Sequence, residues 1–114
     1  MSDITNIALG TLTSQTSGTS QYPENSNSKF QRGSNLLAVI QPTNGAFVGT
    51  AIIEGTNDLD SVADGSATWT ALLTFVAPAS NSGSKMAVVT AMRRMRLRVS
   101  VFTSGSVDGV LLSS

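Results

Sequence analysis

From residue 94 onward the chain alternates. Arg94, Arg96, Arg98 and Ser100 take one set of positions, and Met95, Leu97, Val99 and Val101 take the other. Successive side chains of an extended strand point to opposite faces, so this pattern predicts one buried face and one face bearing a ladder of guanidinium groups. Thr103-Ser104-Gly105-Ser106 follows, then a second apolar run over residues 107–112. Together they predict a C-terminal β-hairpin. Similar signals recur upstream. Residues 36–40 read as a short buried strand ended by Gln41-Pro42-Thr43-Asn44-Gly45, where the proline and the Asn-Gly pair favour a turn. Residues 47–53 form the next predicted strand, with Gly49 marking a bulge or a close backbone approach. A Gly-, Asn- and Asp-rich loop over 54–66 leads to a strand over 67–76 carrying Trp69 and Phe75, and residues 86–92 form another.

A helical stripe through Val88, Ala91, Met92, Met95 and Val99 is the competing pattern. Val88, Val89 and Thr90 are β-branched, no capping box precedes them, and the alternation after Arg94 is unbroken, so strand is the preferred reading. Short strands separated by turn signals every ten or so residues predict an all-β fold, an antiparallel β-sandwich over residues 35–114. Trp69, Phe75, Leu97 and Val99 are its expected core anchors.

Residues 1–34 differ. Ile4, Ile7, Leu9 and Leu12 are scattered hydrophobes, and residues 13–28 are almost wholly polar and uncharged. Alone, such a segment buries too little apolar surface to offset its ordering entropy. It reads as an extended polar N-terminal arm that a neighbouring subunit would hold.

Composition sharpens the picture. Charged residues make up only 12% of the chain, about half the usual share, while Ser and Thr supply 30 of the 114 residues. Hydroxyls suit strands and turns, and they cost less to desolvate than charges, so such a surface suits packing against neighbours. Net charge is zero, with no global field to attract nucleic acid or an anionic membrane. The two signs are separated along the chain, however: Glu54, Asp58, Asp60 and Asp64 in one stretch, and Arg93, Arg94, Arg96 and Arg98 in another. There is no cysteine, no apolar stretch long enough to span a bilayer, and no basic-then-apolar leader, so synthesis in a cytoplasm is expected.

The arginine ladder has three readings. It is a solvated face paired across strands with Asp or Glu, a protein interface, or a contact to a nucleic-acid backbone. Four arginines without a lysine favour the interface, because the guanidinium fork pairs bidentately and tolerates desolvation. No aromatic residues interleave the ladder for base stacking, so no nucleic-acid partner is expected. The expected interface residues are Arg94, Arg96 and Arg98, with Asp58, Asp60 and Asp64 as the acidic counterpart. The acidic loop fails the calcium-loop pattern, since Val62 and Ala63 occupy a ligand and the turn-glycine position, and Trp69 stands where the closing glutamate belongs. With no histidine, no cysteine and no legible carboxylate pair, no enzymatic activity, cofactor or small-molecule substrate is expected.

Glu54-Gly55-Thr56-Asn57-Asp58 followed by Trp69-Thr70-Ala71-Leu72 resembles a phrase of discoidin-like jelly rolls and of small β-sandwich proteins of tailed-phage virions. Arg96-Leu97-Arg98-Val99 and the segment from Phe102 to Val107 are similar to the C-terminal strands of those phage proteins. The likeness spans residues 46–112, with Leu59 to Ala67 as an insertion before the tryptophan. It implies a jelly-roll-like capsid decoration (cement) subunit on the virion surface, a homotrimer bound to the major capsid protein and to its sister subunits. A carbohydrate-binding or tail/baseplate adhesin module of discoidin-like fold, using Trp69, is the alternative it implies.

Overall fold

The structure, a computed structural model, describes residues 5–23, 32–77 and 84–113. Five strands are present: β1 (Thr5–Leu12), β2 (Asn35–Thr56), β3 (Thr70–Ala77), β4 (Lys85–Thr90) and β5 (Arg94–Ser113). They form a single antiparallel sheet in the order β1-β5-β2-β3, with β4 also paired to β2. The fold is therefore all-β, and its sheet coils on itself until it nearly closes into a barrel. The stretch for which a helix competed, 88–99, is the end of β4, the link 91–93 and the start of β5.

β2 and β5 are the long central pair, matched from Leu37↔Leu112 to Thr56↔Arg94. β4 flanks the first part of β2 (Asn35↔Thr90 to Ile40↔Lys85), and β3 flanks the second (Gly49↔Ala77 to Gly55↔Thr70). On the far side of β5, β1 pairs with its second half, and bridges Ser17↔Arg98 and Gln21↔Met95 carry that edge along its first half. Two expected turns thus prove to be bends. Residues 41–45 and 103–106 lie opposite each other in the β2·β5 pair, where four residues of β2 bulge between Pro42↔Val107 and Phe47↔Gly105. Pro42 has no N–H to give the ladder, and Gly105 takes φ 85°, so the pairing weakens there without ending. The C-terminal hairpin does not form, because both halves of β5 find β2 as their partner.

At this corner Gly49 sits at φ 151°, and a Cβ would overlap the Val101 carbonyl oxygen and meet the Phe47 ring at 3.0 Å. The glycine allows β2 and β5 to close up through the bend. Phe47 packs beside Phe75 and Phe102, with centroids 6.4 and 6.5 Å away. Opposite the corner, the three-residue link 91–93 returns the chain from β4 to β5. It is held by Ala91 N–H to Ser34 O and Gly33 N–H to Ala91 O, at 2.7 and 2.9 Å.

The inner faces meet in one core. Ile7, Leu9, Leu36, Ala38, Ile40, Val107 and Leu111 come from one half of the folded sheet, and Ala51, Ile53, Leu73, Phe75, Met95, Leu97 and Val99 from the other. Burying each large aliphatic or aromatic side chain contributes roughly 1.5–3 kcal/mol. Phe75, Leu97 and Val99 are core anchors as expected. Trp69 is not: it is only partly buried and lies outside this cluster. The polar arm expected over 1–34 is also different where it is described. Residues 5–12 are a full strand with Ile7, Leu9 and Leu12 buried, because alternation is broken by a bulge at Gly10 (φ 99°), which shifts Leu12 back to the inner face. Residues 1–4 and 24–31 lie outside the described residues.

Candidate functional site

The first half of β5 places Met95, Leu97 and Val99 in the core, so Arg94, Arg96 and Arg98 stand on the opposite, outer face. Glu54 of β2 pairs with Arg96 in the sheet, which sets its side chain among the same arginines. Its carboxylate accepts from Arg96 Nε through Oε2 at 2.6 Å and from Arg98 Nε through Oε1 at 3.0 Å. Glu54 is almost completely enclosed, its side chain 3% exposed, whereas those of Arg96 and Arg98 are 12% and 35% exposed.

The loop over residues 57–69 roofs this face. Two successive turns, Val62 N–H to Leu59 O and Ser66 N–H to Ala63 O, compact it. Arg94 is buried beneath it. Its Nη1 donates to Asp64 Oδ1 at 2.6 Å, its Nη2 reaches Leu59 O at 3.4 Å, and its Nε has no partner. Asp60 accepts from Arg93 Nη1 at 3.3 Å, and Asp58 accepts the Thr68 N–H at 2.7 Å. The Arg93 backbone N–H donates to Asn57 Oδ1 at 2.9 Å, which ties the loop to the 91–93 link.

Trp69 completes the cluster. Its indole N–H donates to the Asp64 carbonyl at 2.9 Å, and the Arg96 guanidinium carbon lies 3.9 Å from its ring centroid, with that of Arg94 at 5.9 Å. The ring covers the cations in a cation–π stack, an interaction worth about 0.5–2 kcal/mol. This explains why Trp69 lies outside the core: a cationic sheet face gives it a second place to bury its surface.

The six expected interface residues are therefore brought together, but within one chain. Arg94 and Asp64 pair with each other, Asp60 pairs with Arg93, Asp58 caps a backbone N–H, and Arg96 and Arg98 converge on Glu54. Of the readings open to the ladder, cross-strand pairing describes these contacts. Glu54 belongs to the cluster although the sequence reading set it in the acidic stretch and not among the interface residues. Its signal was its place opposite Arg96, which becomes visible only once the β2·β5 register is known. The loop carboxylates turn to separate partners, and among the described residues no three acidic side chains converge as a metal site would require. Together these contacts fix the loop to the sheet face.

Comparison with family models, with curated proteins and with solved structures finds no match for this chain.

Proposed function

We propose that the chain is a non-catalytic structural subunit, a capsid decoration (cement) protein of a tailed-phage-type virion with a jelly-roll-like arrangement of its sheet. The observation that carries this reading is the distribution of charge. Four arginines are each paired with a carboxylate around a single loop, Arg93 with Asp60, Arg94 with Asp64, and Arg96 and Arg98 together with Glu54. Among the other described residues, most exposed side chains are hydroxyl or aliphatic. A surface of that kind can be covered by a neighbour without desolvating ions, which is the costly part of forming a contact.

The capsid contact runs along the exposed hydroxyls that follow and border β1: Thr11, Thr13, Ser14, Thr16, Ser17 and Thr19. Each hydrogen bond there is weak, and many symmetry-related copies supply the avidity. The arginines serve the shape of the subunit rather than the capsid. The resemblance of the Glu54–Asp58 and Trp69–Leu72 segments to phage virion proteins supports the same reading. An adhesin using Trp69 as a sugar platform is disfavoured, since one face of that ring is already covered by Arg96.

The test is to mix purified protein with expanded, undecorated phage heads and to sediment them at increasing salt. Saturable binding that persists at 0.5 M salt is expected, because few exposed ion pairs are involved. Failure to co-sediment, or binding abolished by moderate salt, would overturn the proposal.

A further inference from the structure

The outer face of the other half of the sheet is apolar, exposed at its β1 and β4 sides and closely packed at Val39 between them, and no described element lies over it. Two rows of side chains cross its four strands. One row is Ala8, Val110, Val39 and Met86, and the other is Asn6, Leu112, Leu37 and Val88. Met86 and Val88, on β4, are 58% and 69% exposed. Polar rows bound the patch at both ends: Asn35 with Thr90, and Thr11, Asp108 and Gln41. The one acid in that border, Asp108, accepts the hydroxyl of Thr11. Contiguous apolar surface rimmed by polar groups marks a contact site.

The relief of the face says what fits it. At the β4 edge Met86 and Val88 protrude. At the β1 side, where Gly10 carries no side chain, lies a hollow of about 310 Å³ lined by Ala8, Thr11, Val39, Gln41, Asp108 and Val110. Knob and hollow fall in the same row, at opposite ends of it. A two-fold axis in the plane of contact, parallel to the strands and running between β5 and β2, reverses the order of strands while keeping the row. It lays Met86 of each copy over the Ala8 hollow of the other and Val39 over Val110. The one charge at its border, Asp108, meets Gln41 of the other copy under this axis, so no like charges face each other, as an isologous contact requires.

We infer that this face pairs with a second copy of the chain, sheet on sheet, as a two-fold dimer. Four strands at about 4.8 Å spacing and roughly 20 Å of strand length give about 400 Å² on each copy, roughly 800 Å² in total, which is the size of a weak, transient contact and below that of a stable one. The dimer is therefore weak, with dissociation in the range of tens to hundreds of micromolar. The inference does not depend on the capsid reading, whose contact runs on from β1 and shares only Thr11 with this face.

Analytical ultracentrifugation over 5 µM to 1 mM should show a monomer–dimer equilibrium, and Met86→Lys with Val88→Lys should weaken it at least tenfold. Both positions are exposed, so the thermal midpoint should stay unchanged. The chain has no cysteine of its own, so geometry can be read by oxidation. A mixture of the Ala8→Cys and Met86→Cys proteins should form a disulfide-linked dimer, and the Met86→Cys protein alone should not. A monomer throughout the range, a trimer, self-linking of Met86→Cys, or a dimer indifferent to the two lysines would each overturn the inference. So would a monomer whose capsid binding is lost on the lysine substitutions, an outcome that assigns the face to the capsid and leaves the decoration role standing.

Discussion

Glu54→Gln is the sharpest perturbation of this protein. The carboxylate is 3% exposed and serves two guanidinium groups, at 2.6 Å and 3.0 Å. Removing one partner of a buried ion pair costs about 3–5 kcal/mol, because the remaining charge is stranded. Two features reduce that here. Glutamine keeps the volume and one acceptor, and the Arg98 side chain is 35% exposed, so its charge can hydrate. A loss of ~2–3 kcal/mol is expected, equivalent to a fall of roughly 10 °C in Tm for a domain of this size. Trp69, the only tryptophan and in contact with Arg96, reports the transition by fluorescence in equilibrium urea unfolding. A double-mutant cycle then separates the two arginines. Coupling of Glu54→Gln with Arg96→Met should be about 1–2 kcal/mol, and with Arg98→Met less than about 0.7 kcal/mol, in line with their exposure. A Glu54→Gln protein within about 0.5 kcal/mol of the parent, or equal coupling to both arginines, would refute the assignment of the cluster as an enclosed electrostatic clamp.

Two further outcomes follow from the fold. Gly49→Ala should destabilise by at least ~2 kcal/mol or prevent folding, since its backbone conformation and the overlap with the Val101 carbonyl both resist a side chain; a normal urea midpoint would show that the corner is not close-packed. Leu9→Ala should cost about 2–4 kcal/mol as a core cavity does, whereas a value near zero would mean that β1 is a detachable arm.

Much of the architecture is legible in the residues themselves. The alternation after Arg94 gives the strand, its inner and outer faces, and three core positions. Acidic residues in one loop and arginines on one strand announce a pairing. What remains hidden is register. Turn-forming residues such as Pro42, Asn44-Gly45 and Ser104-Gly105 report that the ladder is interrupted, but whether the chain then reverses or merely bends depends on which strand lies alongside. Likewise Ile7, Leu9 and Leu12 do not alternate strictly, and only the Gly10 bulge makes them one face. The intramolecular destination of the arginines follows from Glu54 lying beside Arg96 across 42 residues of sequence, a distance that no local pattern spans.

The most C-terminal of the five strands is the one on which the others depend. β1 has β5 as its only strand partner in the sheet, and β2 reaches β1 only through it. Without β5, β1 has no ladder to join, and the β2 edge that β5 covers is open. Such non-local pairing slows the search for the native state, to the millisecond-to-second range typical of all-β domains. An early stop that removes β5 therefore leaves a polypeptide with exposed strand edges and a marked tendency to aggregate.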